Sequence, residues 1–126
     1  MCGFFLVLNI KNYSDNKSIN YDFARECSQN ISHRGPDKSN EFISGNGSFF
    51  SHHRLSIIDP SEYSSQPFIS NNKKQIICFN GEIYNYKKLA LELLDQNISG
   101  DTEVIAEIFS RYNGLNHLEK FDGMYA

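Results

Sequence analysis

The sequence has no tryptophan, only three cysteines and three prolines, and no apolar run long enough to cross a bilayer. A spanning helix needs about 20 apolar residues, whereas the run Phe4-Phe5-Leu6-Val7-Leu8 gives way at once to Asn9 and Lys11. No Lys or Arg precedes that run, so it lacks the charged start of a secretory signal, and Gly3 to Ile10 reads as a strand buried on both faces. Cys2, Cys27 and Cys78 are odd in number and form no CxxC pair, which argues against a disulfide framework or a thiolate zinc site and fits a reducing, cytoplasmic compartment. Surplus charge is also scarce. Twelve Lys and Arg against fifteen Asp and Glu leave a net charge of −3, with nothing to draw the chain to nucleic acid or an anionic membrane. Repeats, linkers and low-complexity tracts are missing too, and 126 residues make one domain at most.

What is there alternates between strand and helix signals. Ile19, Phe23, Cys27 and Ile31 recur every fourth residue, placing one side of a helix over Tyr21 to Asn30, which the polar stretch Ser32 to Asp37 with Pro36 closes. Glu41 to Ser44 and Ser48 to Arg54 flank Gly45-Asn46-Gly47, the pattern of a hairpin with a three-residue connection. Asp59 to Lys74, with two prolines and many Ser and Asn residues, reads as an irregular loop. Gln75 to Phe79 reads as a strand, with a turn at Asn80-Gly81 where it leaves the core. Tyr86, Leu89, Ala90, Leu93 and Leu94 form one helical stripe, and Val104, Ile105, Ile108, Phe109 and Tyr112 another. Phe121 to Ala126 reads as a strand cut short. The fold class is therefore α+β, strands and helices over one core.

Cys2 follows the initiator Met, and a small residue there permits removal of Met1. The product would carry a thiol and an α-amine on one residue. An α-amine has a pKa of about 7.7–8.0, so at neutral pH part of it is free to take the thiol proton and later protonate a leaving amine. Gly3 beside it leaves room for backbone to approach a substrate. The four histidines, His33, His52, His53 and His117, show no HExxH spacing, and adjacent His52 and His53 would point to opposite faces of a strand, so no metal site is expected. Cys27 and Cys78 fall within helix and strand patterns and read as core residues. The aromatic residues follow the same patterns, which favours packing over base stacking.

Seven blocks occur in order along the whole chain: Met1-Cys2-Gly3, His33-Arg34-Gly35-Pro36-Asp37, His53-Arg54-Leu55-Ser56-Ile57-Ile58-Asp59, Gln66-Pro67, Phe79-Asn80-Gly81-Glu82-Ile83-Tyr84-Asn85, Gly100-Asp101-Thr102-Glu103 and Phe121-Asp122-Gly123-Met124. Together they resemble the glutaminase domain of the glutamine-hydrolysing asparagine synthetase family, a class II glutamine amidotransferase of the N-terminal-nucleophile hydrolase superfamily. Sister amidotransferases that make glucosamine phosphate or phosphoribosylamine share the Cys-Gly start but are less similar around these blocks.

The resemblance implies a four-layer αββα sandwich, truncated toward its C-terminal end, so that residues 1–126 are part of a type 2 glutamine amidotransferase domain. It implies hydrolysis of the glutamine side-chain amide through a thioester on Cys2, with Asn80 and Gly81 as the oxyanion hole. Arg54 would hold the substrate α-carboxylate and Asp101 its α-ammonium, with Glu82 and the backbone of Leu55, Ser56, Ile57 and Ile58 completing the glutamine site. No cofactor is implied for this domain. ATP and Mg²⁺ belong to a synthetase domain or subunit that would use the ammonia as partner. Four residues keep a second reading from sequence alone: Asn80-Gly81 as a hairpin turn, Arg54 as half of a surface salt bridge, and Asp101 as the cap of the helix that follows. Two further readings of the whole chain also stand: a glutamine-binding or interaction fragment without catalysis, and a shortened gene product with no independent role.

Overall fold

The computed structural model describes residues 2–10, 18–56, 65–112 and 114–126. Residues 57–64, which include Ile57, Ile58 and Asp59 and the start of the stretch read as an irregular loop, lie outside those residues.

Three strands form the first sheet. β1 (Gly3–Val7) and β2 (Lys38–Ile43) both pair antiparallel with β3 (Phe49–Arg54), in the order β1-β3-β2. The β2–β3 hairpin closes as its glycines direct: Gly47 has φ +85°, its N–H donates to Ser44 O at 2.8 Å, and Ser44 N–H donates to Ser48 O at 2.9 Å. Register sets Gly3 opposite His53 and Val7 opposite Phe49. Helix α1 (Tyr21–Gln29) packs on β1 and β3, its first turn capped by Asn20, whose side chain accepts from Phe23 N–H. Phe49 is fully buried in this layer, its ring 6.4 Å from that of Tyr21.

Two expectations are corrected here. The strand expected over Gly3 to Ile10 ends at Val7 and is not buried on both faces: Leu6 on it, and Leu8 and Ile10 beyond it, are exposed. β1 lies at the sheet edge, and because side chains alternate, α1 covers the face that carries Val7 and not the one that carries Leu6. The helix also turns a different stripe inward. Ala24 and Ser28 are buried while Phe23 is 62% exposed, because the sheet beneath is lined by Ser51 and His53 and accepts small and polar side chains.

The second half of the chain builds the larger apolar core. β4 (Phe68–Ile69) pairs with β5 (Ile76–Ile77), and β6 (Gly81–Ile83) pairs with β7 (Gly123–Tyr125), both antiparallel. The loop reading of Asp59 to Lys74 thus misses β4, and the strand expected over Gln75 to Phe79 shrinks to Ile76–Ile77. Phe79 gives its backbone groups to side chains rather than to a ladder: its N–H goes to Gln66 and its carbonyl to His52. Gln66 precedes Pro67 across a cis peptide.

Helix α2 (Tyr86–Leu89) continues as a wider π turn over Ala90–Leu94, and α3 is Asp101–Arg111. Leu89, Ala90, Leu94, Ile98, Val104, Ile105 and Ile108 bury together with Phe79 and Ile83. Both predicted stripes therefore face the core, except that Tyr112 lies one residue past the end of α3 and is 44% exposed. Its hydroxyl donates to Leu93 O at 2.8 Å, and Arg111 donates to Leu94 O at 3.1 Å, so two carbonyls freed at the π turn find donors. Cys27 and Cys78 are half-buried and not core residues in full, although burial pushes the Cys78 thiol up to about 12.

Asn80-Gly81 does not make a hairpin turn. Gly81 begins β6 with φ +154°, a conformation other residues rarely adopt, and a Cβ there would stand 2.1 Å from Met124 O. Gly35 is confined in another way, since a Cβ on it would lie 2.1 Å from His53 O. Gly45, by contrast, has nothing within 4 Å of such an atom. Gly35→Ala should lower the unfolding free energy by about 2 kcal/mol or more and Gly45→Ala by under about 0.5 kcal/mol, read as the separation of their urea midpoints.

Candidate active site

The Cys2 thiol lies against the peptide of Leu55. Leu55 N–H donates to Cys2 Sγ at 3.3 Å, and the thiol is 3.6 Å from Leu55 O, within reach to donate to it. Cys2 is brought there by the β1–β3 register, since one step beyond the Gly3–His53 pair come Cys2 and Arg54. The block His33 to Asp37 folds around this point. Arg34 Nε donates to Cys2 O at 3.1 Å, Asp37 N–H donates to Arg54 O at 3.0 Å, and the Asp37 carboxylate accepts from Ser56 N–H at 2.7 Å.

Arg54 is 7% exposed, which removes the surface salt bridge reading. Alternation along β3 puts Arg54 and His52 on one face and Ser51 and His53 on the other. The hydrogen bonds agree with this. His53 turns toward α1, with Ser28 Oγ at 2.8 Å, Ser28 O at 2.9 Å and Ser39 Oγ at 2.7 Å, whereas His52 Nε2 is 3.2 Å from Phe79 O. Because a carbonyl only accepts, His52 carries its proton on Nε2. Burial pushes the His52 imidazole down from the ordinary 6.5 to about 4, with the positive neighbour Arg54 acting in the same sense, so it is neutral at physiological pH.

Asn80 and Gly81 follow Phe79 directly, and His52 therefore links the sheet of Cys2 and Arg54 to that segment. Asn80 N–H donates to Ala126 O at 3.0 Å and Asn80 O accepts from Ala126 N–H at 2.9 Å. Glu82 is half-buried opposite Met124. Asp101 is 8% exposed and opens α3 one residue after the cap, which is Gly100, so the capping reading is displaced by one position. Its carboxylate accepts from Ile83 N–H at 3.1 Å and from its neighbour Thr102 N–H at 2.8 Å. Burial holds its carboxyl above the usual range, and those two backbone donors pull the other way.

Three hydrogen bonds, Cys2 to Leu55, His52 to Phe79 and Ile83 to Asp101, joined by the course of the chain through β3 and β6, thus connect Cys2 and Arg54 to Asn80-Gly81 and Asp101. Ile57 and Ile58 fall outside the described residues. Three residues of the quoted blocks, Arg34, Asp37 and Gln66, and His52 just before one of them, had no role assigned from sequence and now have contacts. The signal was present in HRGPD and QP as blocks, but their bonding partners lie 13 to 32 positions away. Among the described residues no group of His, Cys, Asp and Glu is arranged to hold a metal, and no helix is long and apolar enough to cross a membrane. An indentation of about 190 Å³ on the α1 side, lined by Ser28, Ser39, Glu41, Ser51 and His53 among others, faces away from Arg54 and His52.

The pattern of the family described as "Glutamine amidotransferase domain" matches residues 1–126. The chain belongs to this glutamine amidotransferase domain family. Its curated relatives include the asparagine synthetase (glutamine-hydrolysing) 1 of Arabidopsis thaliana, 33% identical over 128 residues, and the asparagine synthetase (glutamine-hydrolysing) of Asparagus officinalis, 36% identical over 128 residues. The nodule asparagine synthetase (glutamine-hydrolysing) of Pisum sativum is 33% identical over the same length. Each alignment covers 100% of this glutamine amidotransferase domain chain and 21% of the relative, so the chain spans about a fifth of the length of these proteins.

The neutral state of His52 has a consequence for stability. Below about pH 6.5 the unfolded chain's imidazole takes up a proton that the folded one refuses until about pH 4, so the unfolded state binds more protons and acid favours unfolding. Stability present above pH 6.5 is lost as pH falls through that window, by up to about 3 kcal/mol for this group. His52→Gln, which does not titrate, should flatten the acid limb by about that amount in urea melts run from pH 7 to pH 4.

Proposed function

We propose that the chain hydrolyses the side-chain amide of glutamine through a thioester on Cys2 and passes the ammonia to a synthetase domain or subunit. The observation that carries this reading is the Cys2 thiol held at 3.3 Å from Leu55 N–H, with Arg34 fastening the Cys2 carbonyl and Arg54 buried alongside. Family membership supplies the reaction class, and the asparagine synthetases among the relatives suggest asparagine synthesis as the use of the ammonia.

Removal of Met1 frees the α-amine of Cys2. In this mechanism the amine takes the thiol proton, directly or through a water, and Sγ attacks the amide carbon of glutamine. The oxyanion forms toward the Asn80 side-chain NH₂ and the Gly81 N–H, each such donor being worth roughly 3–4 kcal/mol when preorganised. Collapse breaks the C–N bond, and the proton taken up by the amine leaves with ammonia. Water then adds to the thioester, releasing glutamate and restoring the thiol. Arg54 holds the substrate α-carboxylate with a planar guanidinium, Asp101 holds the α-ammonium with the lone pairs its backbone donors leave free, and Glu82 with the Leu55 to Ile58 backbone frames the amino acid. The domain itself uses no cofactor. ATP and Mg²⁺ serve the acceptor chemistry elsewhere, and the cytoplasm is the compartment.

The architecture proposed with this function is the αββα sandwich of N-terminal-nucleophile hydrolases, of which residues 1–126 form part. The order of packing supports it, because α1 covers one face of the β1-β3-β2 sheet, His52 and Asn40 of that sheet bond to the β4–β6 region, and α3 packs on β4 and β5.

A glutamine analogue that alkylates nucleophilic cysteines tests the reading in one intact-mass spectrum. Loss of Met1 and a single adduct on Cys2, with Cys27 and Cys78 unmodified, is expected; glutamine bound without ammonia release would move the chain to a binding module. Cys2→Ala should abolish ammonia release while leaving the circular dichroism spectrum unchanged. Arg54→Lys should raise KM for glutamine about tenfold or more with a smaller change in kcat, because a point charge replaces a bidentate fork.

A further inference from the structure

We propose that His52 and Gln66 are positioning residues that fix the two peptide groups on either side of Phe79 and so aim the Asn80 side chain and the Gly81 N–H at the reacting carbonyl. This rests on the glutamine hydrolysis reading above and adds two residues to which that reading gave no part.

The two side chains grip one short segment from opposite ends. His52 Nε2 donates to Phe79 O at 3.2 Å, and Phe79 N–H donates to Gln66 Oε1 at 2.5 Å. Gln66 is anchored in turn: its Nε2 donates to Thr102 Oγ1 at 3.3 Å, and Asn40 Nδ2 donates to its carbonyl at 3.1 Å. His52, Gln66, Phe79 and Thr102 are all buried. Asn80 N–H and O are taken by Ala126. Every backbone polar group of Phe79 and Asn80 is therefore bonded, and two of the four partners are side chains from β3 and from the segment before β4.

Asn80 pairs reciprocally with Ala126 in continuation of the β6–β7 register, whereas Phe79 before it has no strand partner among the described residues. β5 stops at Ile77, so the N–H and carbonyl of Phe79, which lead into the Asn80–Ala126 pair, are held by side chains alone. Fixing φ and ψ of Asn80 fixes the direction of its Cα–Cβ bond, and a tilt of that bond moves the terminal NH₂ by a comparable arc. A displacement of about 1 Å at a reacting group is enough to cost about 100-fold in rate. His52 is suited to the task because it is neutral, with its proton on the nitrogen that faces the carbonyl. Its other nitrogen, Nδ1, is buried and bonds to none of the described residues. Because His52 and Arg54 lie two apart on the same face of β3, one strand carries both the carboxylate anchor and the support for the oxyanion donors.

The test separates position from fold. His52→Leu removes the donor, whereas His52→Gln offers an amide N–H near the same place. Gln66→Leu removes the acceptor, whereas Gln66→Glu keeps it for Phe79 N–H. We expect the two leucine variants to lose 10- to 100-fold in kcat for ammonia release with KM within about threefold, and the Gln and Glu variants to return to within about threefold of the parent. Alkylation of Cys2 by iodoacetamide, which needs no oxyanion donors, should be unchanged in all four. A rise in KM at constant kcat, equal losses in the leucine and the rescuing variants, or no loss at all would overturn the proposal. If the parent chain releases no ammonia from glutamine, the hydrolysis reading fails by itself, and amide spectra then judge the positioning claim: His52→Leu should shift the Asn80 and Gly81 resonances and His52→Gln restore them, with unshifted peaks overturning it. Should the leucine variants not fold, hydrogen exchange of the Phe79 amide in the parent decides, since exchange as fast as that of the Gly45 to Gly47 turn would be incompatible with the grip.

Discussion

Strand β3 sets the terms for everything around it. Ser51, His52, His53 and Arg54 are four consecutive polar side chains, all buried, and a buried polar group left unbonded costs about 1–3 kcal/mol. Each must therefore find a partner, and alternation sends successive ones to opposite layers. Ser51 and His53 bind Ser28 and Ser39 and so fix α1 and β2, while His52 reaches across to Phe79 and fixes the segment before β6. The same bonds that satisfy the strand thus assemble the layers on both sides of it.

The site follows from this arrangement. β1 runs antiparallel to β3, so the end of β3 and the start of β1 meet, and the Cys2 thiol comes to the Leu55 peptide without any dedicated loop. The HRGPD block then closes over the junction with an arginine on one carbonyl and an aspartate on one amide. On the far side the apolar core of α2 and α3 carries Asp101 to the amide of Ile83. Two hydrophobic packings meet along a polar seam, and the candidate residues for glutamine chemistry lie on that seam.

Much of this was legible in the sequence where a local rule decides. Gly45-Asn46-Gly47 gave the hairpin because a turn depends on three residues, and the stripes of α2 and α3 gave their buried faces because both helices meet an apolar core. The rule failed where the neighbour was unusual. Phe23 was read inward from its spacing, yet α1 rests on serines and a histidine, so Ala24 and Ser28 face in. Leu6 and Leu8 were read as buried because an apolar run ordinarily has two covered faces, and β1 has one. The strand over Gln75 to Phe79 was overextended because nothing local announces that a glutamine and a histidine from elsewhere will take the Phe79 peptide. As for the site, Cys2, Arg54, Asn80, Gly81 and Asp101 were named from ordered blocks, while the contacts that join them depend on pairings between residues distant in the chain.

At Gly35 and Gly81 the chain passes so near another backbone that even a methyl group has no room. Gly35 abuts the carbonyl of His53, and Gly81 abuts that of Met124, so both crowding points lie on the seam itself. Random substitution would therefore meet a paradox of tolerance. The large, greasy positions such as Leu6, Leu8 and Leu91 should accept most replacements, while the strictest vetoes would come from glycines such as these, and from Gly123 against the Glu82 carbonyl, where there is no side chain to alter.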